Sequence, residues 1–454
     1  MSAPRRTSVL EEALQVARAI RSEWERHNAL RSVAKAQARA GLAKEATDTL
    51  AQSLQVALSI KDVQFRATAL RFIAEAQVEA GQIHEAIDTL DQALQATQSI
   101  KGEDDTKLLF LVSTLTSIAV TRAKAGLLKE TAATFNDSLK AALRVDTDWA
   151  QSHALASIAE AQAKAGLAKN AIATLGQARQ MAHSTKRAFQ RYDALLVVAL
   201  AQAKVGRLKE TAATFNDSLK AALRVDTDEA RALALASIAE AQAKAGSPKD
   251  AAATLLRLMQ STNLGFTPGP LSKALHAIAE AQTDAGQTPE VSAMVNHALQ
   301  FVQSLRVEQL KKIDKVHEQY QSSIDDWRCI SIVAGIAKLQ AKAGKIAEAL
   351  QLAQSINADA PVLVSIAEAQ AKAGLKKEAI ATFDEALKLA QAIQQEGERA
   401  YVLHSIAEAQ AKAGLPTQSL ASCAIALQAA RSIKDNNPGW RIRMLLAIAD
   451  VLPE

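Results

Sequence analysis

Cysteine is nearly absent: Cys329 and Cys423 are the only two in 454 residues, far apart and outside any ligand-spacing motif. That excludes a disulfide framework and argues for a reducing compartment. Aromatic residues make up only 4% of the chain, so large rings cannot fill its core. No long apolar run occurs, and Glu11 and Glu12 interrupt the N-terminal segment where a signal peptide would need apolar residues. We expect a cytoplasmic protein with no membrane span. Charge of one sign is lacking too. The net charge of +5 comes from 53 Lys+Arg against 48 Asp+Glu, interspersed, which argues against a polyanion-binding tail. The sequence has no phosphate-binding glycine loop, no dinucleotide fingerprint, no HExxH and no GxSxG. We expect no catalytic residue, cofactor or metal, and read the chain as a non-enzyme.

What is there is repetition. The stretch Ile158 to Gly166, IAEAQAKAG, recurs in ten variants that close on Gly41, Gly81, Gly126, Gly166, Gly206, Gly246, Gly286, Gly344, Gly374 and Gly414. Six of the nine intervals are 40 residues; the others are 45, 58 and 30. Such a period predicts a repeat array in which each unit touches its neighbours. In the unit from Arg66 to Ile100, Leu70, Ile73, Ala74 and Gln77 form one helical stripe, helix A, which stops at Ala80-Gly81. Ile83, Ala86, Ile87, Leu90, Ala93 and Leu94 form a second stripe, helix B. The link is short, so the pair is an antiparallel hairpin. The alanine of helix A recurs in all ten units, from Ala34 and Ala74 to Ala407, and a small residue there lets helix backbones approach closely.

The expected architecture is all-α, a right-handed superhelical solenoid of antiparallel helix pairs. It forms one domain over 8–454, of about ten repeats with half-repeats at both ends. Residues 8–22 read as a lone helix B and 440–451 as a lone helix A. The last helix lacks a polar cap, so either it docks on something or the array was once longer. Residues 101–107 read as a polar loop, 263–270 as turn-rich, and 300–330 as an irregular insertion that bends or docks. Residues 128–148 and 208–228 are identical, which marks duplication of paired units.

The unit resembles the tetratricopeptide repeat. Leu70 holds the large apolar position of helix A, Ile73-Ala74 stand where that family prefers leucine and glycine, and Gln77 stands where it often has tyrosine. Gly81, Ala86, Leu90 and Ala93 match the turn and helix B pattern, with Phe135, Phe215 and Phe383 restoring the aromatic there in other units. The period of 40 and the missing closing proline depart from the family, and 40 is also near HEAT and armadillo periods. The resemblance implies that helix A lines a groove for a partner peptide or helix, with no required metal.

Carrying the groove positions over gives two richly charged rows on helix A, one and five residues after the recurrent alanine. Lysines in the second row read either as a basic groove or as partners of glutamates four residues before them, as in Glu160–Lys164, Glu240–Lys244, Glu368–Lys372 and Glu408–Lys412. Arg39, Lys124, Lys204 and Lys342 lack such a glutamate and are the candidates for binding an acidic group. His153, His276 and His404 also fall at groove positions, without metal-ligand spacing. Trp24, Trp149, Trp327 and Trp440 all fall at the start of helix A. They either cover the end of the preceding helix B or, as for Trp149 and Trp327 in particular, serve as partner anchors. The expected function is a protein–protein interaction scaffold with an unidentified protein or peptide partner. The alternatives are a regulatory or sensor subunit for a separate effector chain and, less well supported, a helical-repeat RNA-binding protein.

Overall fold

The computed structural model describes residues 5–100, 104–261, 344–355, 358–433 and 437–453, together with Ala274, Ala277, Ile278, Ala337, Lys338, Gln340 and Ala341. The expected turn at 263–270, the insertion at 300–330, and Gly286, His276, Trp327, Cys329 and Lys342 lie outside the described residues. Nineteen helices and no strand occur among the described residues.

The chain divides into two compact units, Met1–Met181 with Ala392–Glu454, and Ala182–Gln391. The first holds α1 (Arg6–Ala19), α2 (Glu23–Arg39), α3 (Ala43–Ser59), α4 (Val63–Glu79), α5 (Ile83–Gln98), α6 (Asp105–Lys124), α7 (Leu128–Ala142), α8 (Asp148–Lys164) and most of α9 (Ala168–Ser184). The second holds α10 (Ala188–Lys204), α11 (Leu208–Ala222), α12 (Asp228–Lys244), α13 (Pro248–Ser261), α14 (Ile346–Ser355), α15 (Ala360–Lys372) and α16 (Lys376–Gln391). The first unit also takes α17 (Glu396–Lys412), α18 (Pro416–Ser432) and α19 (Pro438–Val451).

A small set of devices recurs among the helix pairs. Asp62, Thr147 and Thr227 cap the N-termini of α4, α8 and α12 by accepting backbone N–H groups. At the other end Gly166 sits at φ +79°, and the Leu167 N–H donates to the Gln162 carbonyl at 2.8 Å. Glycine enters this left-handed conformation without a Cβ penalty and so ends the helix sharply. In some pairs helix A is clamped to helix B through a buried amide: Thr174 Oγ1 donates to Gln162 Oε1 at 2.9 Å, and Thr254 to Gln242 at 2.8 Å, whereas Oε1 of Gln37, Gln77, Gln202 and Gln370 has no partner among the described residues. In the third unit Arg122 replaces that glutamine, donating to Thr134 at 2.8 Å and to Asp91 of the preceding helix B at 2.7 Å. The recurrent alanines Ala34, Ala74, Ala119, Ala159, Ala199, Ala239, Ala367 and Ala407 are all buried.

The order of packing is regular in the first unit. Each helix A touches its own helix B, the next helix A, and the helix B before it, as α2 does with α3 and α4, and α4 with α5 and α6. One expected loop is shorter than its composition implied. Asp104 accepts the Lys107 N–H at 3.0 Å and starts α6 at Asp105, so part of 101–107 is helix. The side-chain cap outweighs the polarity of the segment. The last helix, α19, packs against α1, α2, α17 and α18, so its apolar face docks on this chain's own first helix.

Candidate functional site

Because helix A is wedged between two B helices and two A helices, it reaches solvent along one stripe. In α8 the residues Ala150, Ser152, Ala154, Leu155, Ala156, Ile158, Ala159, Ala161 and Gln162 are buried. His153, Ser157, Glu160 and Lys164 are not, and they follow one another at intervals of four, three and four. The same stripe is open in α6 at Ser113, Ser117, Val120 and Lys124, and in α10 at Asp193, Val197, Leu200 and Lys204. Leucine and alanine recur at two buried positions, as Leu155 and Ala159 do, while other buried positions vary, as His27, Ala67, Val112, Ser152, Tyr192 and Ala232 do. At the first position of the stripe stand Asn28, Thr68, Ser113, His153, Asp193 and Leu233. This surface is set by helical geometry, since positions four and three apart share one face.

Among the described candidates, Arg39, Lys124 and Lys204 fall at its last position. Arg39 is exposed at the end of α2 and forms an ion pair with Asp450 of α19 at 3.1 Å. Lys124 and Lys204 are exposed at the ends of α6 and α10. Trp149 is half-buried at the start of α8, against Leu108, Val145 and Ala150, with its ring 4.9 Å from that of His153. Val145 lies in the turn after α7, so the indole covers the end of the preceding helix B. Trp24 packs against the core cluster that holds Ala57, Ile60 and Leu70, on the side of its own helix B, with its ring 5.0 Å from that of Phe65. Of the expected Glu–Lys pairs, Glu240–Lys244 closes at 2.6 Å and Glu408–Lys412 at 2.7 Å. The Lys412 hydrogen bond holds the Glu408 carboxyl below its ordinary value.

Pattern reading missed a guanidinium–aromatic cluster. Arg31 of α2 and Arg71 of α4 lie over the Phe72 ring, at 4.6 Å and 4.0 Å from its centroid. Burial pushes both guanidinium groups below their ordinary value, while Glu75 beside both, and Glu79 beside Arg31, oppose the shift. A signal was available: arginine recurs at this position in two adjacent units, where Thr116, Ala156, Leu196 and Ala236 stand elsewhere. Lys35 bridges the same two helices, with its Nζ 3.0 Å from the Glu79 carboxylate.

Among the described residues no group of three His, Cys, Asp or Glu side chains could hold a metal ion. One described helix, α6, is long and apolar enough to cross a membrane by length and composition, and 50% of that window is buried inside the protein. Its buried face is spent on α4, α5, α7 and α8.

These helices and their pairing define an all-α repeat protein, a stack of antiparallel helix pairs. No family model matches the chain, and no curated protein matches it. Among solved structures it is similar to Ton1535 from Thermococcus onnurineus NA1, at 15% identity and a TM-score of 0.31, over 87% of this chain and 94% of that one. It is also similar to the apo form of the quorum sensor NprR from B. thuringiensis, at 12% identity and a TM-score of 0.29, over 93% and 98%. A Rap protein complexed with competence and sporulation factor matches at 12% identity and a TM-score of 0.27, over 84% and 98%. Superpositions this loose carry no argument about activity, and the class rests on the helix pairs themselves.

Proposed function

We propose that the chain is a protein-interaction module of tetratricopeptide-like units that holds a segment of a partner protein along the exposed stripe of helix A. The observation that carries this reading is the exposed stripe that recurs at the same positions on successive A helices, in α6, α8 and α10. The first row of that stripe changes in size, polarity and charge, from Asn28 through His153 and Asp193 to Leu233. Arg39, Lys124, Lys204 and Lys342, with Trp149 and Trp327, remain the residues proposed to contact the partner.

Site-specific photo-cross-linking tests the proposal. A photoreactive residue at Ser117 or Ser157, on the stripe, is expected to capture the same partner. The same group at Asn136, on the exposed face of α7, is expected to capture none. Capture from Asn136 alone would place binding on helix B and overturn the reading.

A further inference from the structure

We infer that the seam between the two ends of the chain is a binding site for a small planar aromatic molecule of indole size. The molecule would take the seat that an aromatic side chain fills in neighbouring helix pairs. The site lies off the helix A stripe and does not depend on the stripe being the partner-binding surface.

The first observation is register. In α1, Leu10, Ala13, Ala17 and Ile20 are buried, each 40 positions before Leu50, Ser53, Ala57 and Ile60, which are buried along α3 and at its end. α1 is therefore a helix B. α19 is the helix A that packs on it, with Ala449 buried as Ala34 is in α2. Arg6 ties the two, donating from Nε to the Ala449 carbonyl at 3.1 Å and from Nη2 to the Leu452 carbonyl at 2.6 Å. Glu12 adds a second tie, accepting from Arg431 of α18 at 2.7 Å and from Arg441 of α19 at 3.4 Å. Each position at the seam therefore has a counterpart in the pair of α2 and α3 and in the α4 that follows.

The second observation is a missing ring. In the pair of α2 and α3, Trp24 packs against the cluster that holds Ala57 and Ile60, and its ring lies 5.0 Å from that of Phe65 in α4. Counted from the recurrent alanine, the counterparts of Trp24 and Phe65 at the seam are Gly439 and Glu25. One step earlier, Trp440 of α19 holds the Phe65 position and covers Gly397 of α17, where a Cβ would meet the indole. From α4 to α6 the Phe65 position is held by Phe110, and from α6 to α8 the Trp24 position is held by Leu109. Among the described steps of the first unit, the seam alone has no large apolar side chain at either position.

The third observation is the space that this leaves. A cavity of about 810 Å³ lies at the seam, lined by Val16, Ala19 and Ile20 at the end of α1, by Pro438 and Arg441 of α19, and by Glu25 of α2. Ile20 is the counterpart of Ile60, in the cluster that Trp24 covers. Gly439 has open space beside it, since a Cβ there would meet no atom within 4 Å. The volume falls within the range of small-molecule pockets, about 300–1,000 Å³. Guanidinium planes stack on aromatic faces, as Arg443 does over Trp440 at 5.2 Å, and Arg441 offers the same to a ring in the cavity. An apolar floor beside a guanidinium and the exposed Glu25 suits a ring that carries a polar group. None of these residues belongs to the stripe, so the occupant is a free ligand rather than a segment laid along helix A.

The test is fluorine NMR of fluoroindole with the full chain, which is expected to show saturable binding. Gly439→Trp supplies the ring from the chain itself, as Trp24 does in α2. It is expected to weaken binding by about tenfold or more, because a tethered ring competes at high effective concentration. Glu25→Phe, which restores the Phe65 position on an exposed site, is expected to weaken binding too. Gly439→Ala leaves the space open and is expected to bind as the wild-type chain does, with thermal melts showing that each variant folds. No saturable binding to the wild-type chain overturns the site. Binding that ignores both ring-bearing variants overturns its location, and an equal loss in Gly439→Ala overturns the missing ring as its cause. Tighter binding of N-acetyl-fluorotryptophanamide than of fluoroindole overturns the free ligand in favour of a partner's side chain. The stripe reading falls only if the photo-cross-links leave helix A.

Discussion

Burial keeps the His27 imidazole neutral, and Arg31 beside it acts in the same direction, so its pKa is lowered from 6.5 to about 3. Its Nδ1 lies 3.0 Å from Ser53 Oγ, while its Nε2 has no partner among the described residues. The unfolded chain takes up a proton near pH 6.5 and the folded chain does not. Stability from this group is complete above pH 6.5 and is lost as pH falls toward 3. Between pH 7 and pH 5 this one group is expected to cost about 2 kcal/mol. Urea melts at the two pH values should show that difference in the wild-type chain and a smaller one in His27→Gln. The Gln162–Thr174 clamp is a second residue-scale case. Gln162→Ala leaves the buried Thr174 hydroxyl without its acceptor and is expected to cost about 1–3 kcal/mol in the same melts. Gln162 recurs in most units and its recurrence is plain in the sequence. Its job is not, because the bond joins two helices whose facing positions appear only once the pair is packed.

At the scale of the element, the helix pairs were legible because two apolar stripes and a glycine repeat with so little change. The start of α6 was not, since Asp104 acts by a side-chain cap that composition does not register. The tryptophans were half legible. Their placement at the start of helix A was visible, but what each covers depends on the neighbouring unit. Trp440 shows this most directly. Its indole lies over the backbone of Gly397 in α17, where a Cβ would overlap the ring, and it stacks on Tyr401 at 6.5 Å. Gly397→Ala is expected to displace the indole and loosen α19 from α17, at an overpacking cost of about 1–3 kcal/mol. Tryptophan fluorescence of Trp440, followed in a chain whose other tryptophans are Phe, should shift to the red. An unchanged spectrum with unchanged stability would mean that the ring does not rest on that glycine.

At the scale of the whole molecule, a lone helix B at the start and a lone helix A at the end could be read from the period of 40 residues. Their pairing could not. An apolar face announces that something covers it, and contact between the two ends leaves no mark on local spacing. Arg6 and Glu12 are ties between the ends, and Arg39, expected to bind an acidic group of a partner, pairs with Asp450 of this chain. The central claim is that α19 is held as a member of the stack by α1. Native-state hydrogen exchange of α19 in the full chain tests it most directly. In the wild-type chain the amides of α19 should be protected to a degree comparable with α17. Glu12→Arg should speed their exchange by about tenfold or more, as expected for local opening that becomes easier by over a kcal/mol, with α4 and α8 unchanged. Protection of α19 that is absent in the wild-type chain, or that is the same in Glu12→Arg, would contradict the claim.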